Sequence, residues 1–368
     1  MASVAASVAV GVGLVIARSE RERRRVRQRK RDVKLGLRPG EALADGLRRM
    51  ALAQSELALE LLGGDGSASA PPDETAVHET RKALKRLRAL LRLLRGELGE
   101  RGFRRENAAL RDIARQLSAT RDATVMLATL DALIERHPRK LGRRKGVLAL
   151  RRRVAAESAR MQGRTLATPA ERAEVLGELH AFRWRVAAWS LAREPGLRAV
   201  DAELERLYRQ GRRRHRRLAR GHGERTLAMH EWRKRVKDLR YAAEMLNLRK
   251  LAARADELGE LIGEEHDLAV LAEHLREGAR GHKGELWNTG RRTRKTLLRV
   301  IAKRRRKLRR TALRKGERLY RDKPSRFMRG LRESTTEKID RVISGQPQDH
   351  AFTDAAAAAL GINRRTRG

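Results

Sequence analysis

An all-α chain is predicted by three features of the sequence. From Pro39 onward Leu, Ala, Val and Met recur at steps of three and four residues, β-branched alternation is almost absent, and Gly- and Pro-containing breaks cut the pattern into helix-length pieces. The breaks fall at Gly63 through Pro72, His137-Pro138, Thr168-Pro169, Glu194-Pro195-Gly196, Gly221-His222-Gly223 and Gly281-His282.

Met1 to Ile16 carries no charged side chain and is followed by an arginine-dense block from Arg18 to Arg31. A secretory signal places its basic residues before the apolar run, so this order argues against one. The segment is too short to span a bilayer and is read as an added N-terminal helix, with weak membrane contact of residues 1–16 as the secondary reading. Residues 1–37 are therefore set apart as an extension. Pro39-Gly40 then opens a helix carrying Leu43, Leu47 and Met50, and Pro195-Gly196 opens a second carrying Val200, Leu204 and Leu207. After Gly345 no core-forming pattern remains, which leaves 346–368 as a tail.

Between those limits the chain repeats itself. His78-Glu-Thr-Arg-Lys-Ala-Leu-Lys-Arg-Leu-Arg88 returns as His230-Glu-Trp-Arg-Lys-Arg-Val-Lys-Asp-Leu-Arg240, with seven of eleven positions identical. On a helix, His78, Arg81, Lys82, Lys85 and Arg88 share a stripe about 120° wide, as do His230, Arg233, Lys234, Lys237 and Arg240. Leu87 and Leu239 lie opposite, toward a core. Like charges three and four residues apart repel, so the stripes cost stability unless an anion covers them. Downstream, Leu117-Ser-Ala-Thr-Arg-Asp122 aligns with Ile262-Gly-Glu-Glu-His-Asp267, and two fused copies of one helical unit, 38–194 and 195–345, account for the order.

Composition points the same way. The 87 Lys and Arg against 46 Asp and Glu give a net charge of +41, which implies an anionic partner such as polyphosphate, nucleic acid or an acidic surface. Aromatic residues make up 3% of the chain, too few for base-stacking platforms. The absence of cysteine excludes thiolate metal sites and cysteine nucleophiles.

Several residues keep two readings. His78 and His230 either donate to phosphate or pack in the first turns of their helices, while a metal site there would need further ligands among neighbours that are cationic. Glu79 and Glu231 are expected to pair with Lys82 and Lys234. Asp122 and Asp267 either orient basic groups or cap the helix that follows. The run Arg291 to Lys315 is an amphipathic helix whose basic side would widen the site.

These motifs resemble the CHAD domain, a family named for conserved histidines in an α-helical domain. The resemblance covers about residues 38–320. It rests on the two His-x-x-Arg stripes, on Arg121-Asp122 and His266-Asp267 after a short Leu/Gly break, and on Leu207-Tyr-Arg-Gln-Gly-Arg-Arg213. It implies two pseudo-symmetric helical bundles in tandem whose stripes face a shared basic groove or pore. The implied ligand is inorganic polyphosphate, bound without catalysis by the ten stripe residues together with Arg209, Arg212 and Arg213, supported by Asp122 and Asp267. No cofactor and no metal are expected, and the implied setting is the cytoplasm, at polyphosphate granules. No tunnel-domain Glu-x-Glu-x-Lys signature occurs, so a stand-alone member is expected. Competing classes are a nucleic-acid-binding or compacting protein, with weak non-specific nucleic-acid contact in either case, and a phosphate-processing enzyme. The latter finds neither clustered carboxylates for Mg²⁺ nor a Gly-rich phosphate loop. Oligomeric state is not set by the sequence.

Overall fold

The computed structural model describes residues 35–38, 40–63, 72–117, 121–161, 164–192, 198–221, 224–280 and 285–343. The expectations for residues 1–34, for the tail 346–368 and for much of the breaks at 64–71, 195–196, 222–223 and 281–282 lie outside them. Among the described residues there is no strand. The helices are α1 (Leu43–Gly63), α2 (Glu74–Leu93), α3 (Arg95–Gln116), α4 (Arg121–Arg136), α5 (Lys145–Met161), α6 (Pro169–Ala187), α7 (Arg198–Ala219), α8 (Arg225–Met245), α9 (Arg249–Glu277), α10 (Arg291–Leu319) and α11 (Pro324–Ile343). A π turn, Pro138–Gly142, joins α4 to α5.

Side-chain caps explain several of the starts. Asp73 accepts from the Ala76 N–H at 2.6 Å and opens α2, the first stripe helix. Glu224 does the same for α8, accepting from Thr226 and Leu227. Thr168 and Glu171 form a reciprocal capping box before α6, with Pro169 in its first turn.

Two hydrophobic cores result, and each draws on both sequence halves. The larger takes Leu47, Leu84, Leu110 and Leu179 from α1, α2, α3 and α6, and Leu204, Leu239 and Leu258 from α7, α8 and the first half of α9. The smaller takes Leu130 and Leu150 from α4 and α5, Leu271 from the second half of α9, and Ile301 from α10. The cores therefore divide by position along α9 and α10 and not at the 194/195 boundary. Leu35 and Leu37 also pack on the larger core, held there by Asn247, whose amide donates to the Leu37 carbonyl at 2.8 Å.

One expectation needs correction. His266-Asp267 does not follow a break, because α9 runs without interruption from Arg249 to Glu277. Gly263 serves close packing instead of helix termination: a Cβ there would stand 3.4 Å from the Arg233 guanidinium. Asp267 thus lies mid-helix and caps nothing. In the first half the aligned segment does end α3, at Leu117.

Candidate anion-binding site

The stripe helices α2 and α8 pack against one another, and their buried sides hold Leu87 and Leu239 as the pattern requires. Glu79 accepts from Lys82 at 3.2 Å and Glu231 from Lys234 at 2.7 Å, as expected of both copies. Arg81 donates to the Leu117 carbonyl at the end of α3. Its counterpart Arg233 lies over Gly263 of α9, so each stripe reaches the equivalent point of the helix that follows it. His78 is exposed, while Lys85 and Lys237 are half-buried.

The two copies differ at their last arginine. Arg240 is taken up within the protein, donating to Glu244 at 2.7 Å and pairing with Asp256. Arg88 instead donates to the neutral Asn107 at 3.0 Å. Burial lowers the Arg88 pKa, and the positive charges of Arg92, Arg111 and Arg235 lower it further against the pull of Asp238. Arg92 of α2 and Arg235 of α8 share that carboxylate, at 3.2 and 3.3 Å, and Asp238 is itself buried. Asp238 stands where the first copy has Arg86, so a substitution between the copies supplies the charge that lets two cationic helices touch.

His230 packs against His266, their rings tilted by 36° with centroids 4.6 Å apart. Burial holds His230 below the ordinary histidine value, reinforced by Lys234 and Arg233 and opposed by Glu231. Asp267 is half-buried on the same helix. The backbone of Arg121 and Asp122 begins α4, but their side chains lie outside the described residues.

The arginine-rich part of α7 has a mainly structural environment. Arg212 donates to the Tyr320 carbonyl at 3.1 Å, Arg209 pairs with Glu205 of its own helix at 2.6 Å, and Arg213 is exposed. Tyr208 stacks on Phe327 with centroids 3.9 Å apart and donates to the Asp322 carbonyl, and burial pushes its pKa up to about 12. Gly211 admits Tyr320, whose hydroxyl would lie 2.3 Å from a Cβ there.

Sequence reasoning placed the basic side of α10 next to the site but did not find what it faces. Arg304 makes a paired contact with Glu264 at 2.6 and 2.5 Å, and Arg305 and Arg309 converge on the buried Glu265 at 2.9 and 2.7 Å. Beyond them lies a cavity of about 1170 Å³ between α10, the end of α4 and the π turn. His137-Pro138 read only as a break, and no spacing rule could have joined His137 to Lys303 across the fold. Arg92 and Asp238 were also missed, and a comparison of the two copies at Asp238 and Arg86 is the signal that would have found them; His266 was legible as part of its motif, but its contact with His230 was not. No group of three or more His, Asp or Glu that could hold a metal occurs among the described residues.

The described residues thus form an all-helical fold in which two repeated basic helices pack against one another. The chain belongs to the CHAD domain family, whose model matches residues 55–276. Among solved structures it is similar to the CHAD domain from the plant Ricinus communis, with 20% identity, a TM-score of 0.53, and coverage of 76% of this chain and 94% of that one. It is also similar to PptA from Streptomyces chartreusis, with 18% identity, a TM-score of 0.52, and coverage of 78% and 100%. At these identities the likeness is one of fold. No curated protein matches the sequence.

Proposed function

We propose that the chain is a non-catalytic module that binds inorganic polyphosphate through the stripes of α2 and α8. The observation that carries this reading is the repulsion around Arg88, which is left on the neutral Asn107 while Arg92 and Arg235 take up the buried carboxylate of Asp238. An extended anion without bases relieves that repulsion by supplying oxygens to arginine forks and lysine point charges. Nucleic acid offers the same phosphates but also bases, for which a chain with 3% aromatic residues provides little stacking surface. The proposed setting is the cytoplasm, at polyphosphate granules; no helix of the described residues is long and apolar enough to cross a membrane.

The test is a titration of the full chain with long-chain polyphosphate, duplex DNA and RNA at near-physiological salt. Polyphosphate is expected to bind most tightly. A Lys85→Glu/Lys237→Glu variant should lose about 1 to 3 kcal/mol per contact. The matched control reverses the exposed Arg216 and Arg217 of α7. Equal losses in both variants, or tighter binding of DNA, would overturn the reading.

A further inference from the structure

We infer that the cavity between α4, the π turn and α10 is a second anion site, separate from the stripes, that takes a compact anion bearing several phosphates. Its walls carry Arg136, His137 and Lys140 on one side, facing the cationic edge of α10, with Val300 and Thr311 as the neutral lining. No residue of α2 or α8 lines it, and no carboxylate does. The inference therefore stands apart from the proposed stripe site.

On α10, Lys303, Lys307, Arg310 and Arg314 follow one another at steps of four, three and four, so they form a single file about 16 Å long. None of these four, nor Lys140, makes an ion pair among the described residues. Two other lining arginines are different, because Arg304 pairs with Glu264 and Arg136 approaches the same carboxylate at 3.8 Å. Glu264 thus takes up two of the lining arginines and leaves the file on α10 cationic. A planar surface of like charges is ordinarily solvated; here the charges face one another across a concave space with room for several phosphate groups. Charge-assisted contacts from two walls at once favour a ligand whose charges lie close together over an extended, flexible one.

His137 reports on the occupant. Burial lowers its pKa, and so do Lys140 and Arg136 from its own side and Lys303 and Arg304 from α10, while Glu264 lies behind Arg136 and Arg304. A phosphate bound between these groups reverses that field, so His137 takes up a proton as the site fills.

The test uses the full chain, tripolyphosphate and inositol hexakisphosphate as probes, and the His137 ring resonance as readout, assigned with His137→Gln. Either probe should shift this resonance toward the protonated form near pH 6.5, the chain phosphate and the ring phosphate distinguishing the geometry preferred within the same class. The triple variant Lys303→Glu/Lys307→Glu/Arg310→Glu should bind the probe about ten-fold more weakly or worse and lose the shift. The triple variant Arg216→Glu/Arg217→Glu/Arg220→Glu should retain it. Absence of a shift with both probes overturns the inference, as do equal losses in the two triple variants. Should Lys85→Glu/Lys237→Glu abolish long-chain polyphosphate binding while leaving the His137 shift intact, both sites stand. Should it also abolish the shift, the cavity site falls and the stripe site remains.

Discussion

Single residues in this fold are constrained mostly by what approaches them. Gly316 of α10 has no room for a side chain, since a Cβ would lie 2.5 Å from the Trp232 ring and 2.7 Å from His215. Gly316→Ala should therefore lower the stability measured by denaturant unfolding by about 1 to 3 kcal/mol. Gly177→Ala, in α6 where nothing lies within 4 Å of the added atom, should be neutral or raise stability by about 0.5 to 1 kcal/mol. Protonation sets a second constraint. Burial, aided by neighbouring cations, lowers His137 and His230, and burial lowers His215 despite its bond to the Leu313 carbonyl. The folded state then holds fewer histidine protons than the unfolded chain as pH falls through about 6.5, so stability declines on acidification across that window. Glu224, held below the usual carboxylate range by the Leu227 and Thr226 N–H groups, adds its loss only below its ordinary value of 4.5. The melting temperature should fall between about pH 7.5 and 5.5, and saturating tripolyphosphate should flatten the slope by restoring the proton to His137.

At the scale of elements, the contact of α2 with α8 depends on one carboxylate between two arginines. Asp238→Asn removes the charge and leaves Arg92 and Arg235 facing each other at a buried junction. The expected cost is about 3 kcal/mol in chemical denaturation, and polyphosphate should recover more stability in this variant than in the parent. If Asp238→Asn proved neutral, the junction would be held by its leucines alone. How far the sequence revealed such elements depended on range. Local signals sufficed for the helical class, for the Glu79–Lys82 and Glu231–Lys234 pairs, and for the buried side of each stripe, because all of these are set by residues three and four apart. Gly263 misled, since a glycine between helix formers reads as a break until the guanidinium resting on it is seen. The cavity around His137 was beyond such reasoning, for its two walls lie at least 160 residues apart in the chain. The packing of Tyr208 and Arg212 was not legible, because their partners Phe327 and Tyr320 come a hundred residues later.

For the molecule as a whole, a net charge of +41 makes salt act in two opposite directions. Screening relieves self-repulsion, so the melting temperature of the free protein should rise with sodium chloride over the range where the Debye length shrinks from about 30 to 10 Å. The logarithm of the affinity for polyphosphate should fall over the same range, linearly in the logarithm of salt concentration, as each released counterion gains less entropy in a saltier solution. A flat dependence of both would mean that the charges are already neutralised within the fold. The helices α9 and α10, each 29 residues and about 43 Å long, run through both hydrophobic cores. They act as shared axles: neither core can come apart while the other keeps its half of the same two rods straight. An anion seated against α10 beside the smaller core is consequently felt at Leu47 in the larger one, where it never touches, as slower hydrogen exchange in amides that open only when the entire assembly does.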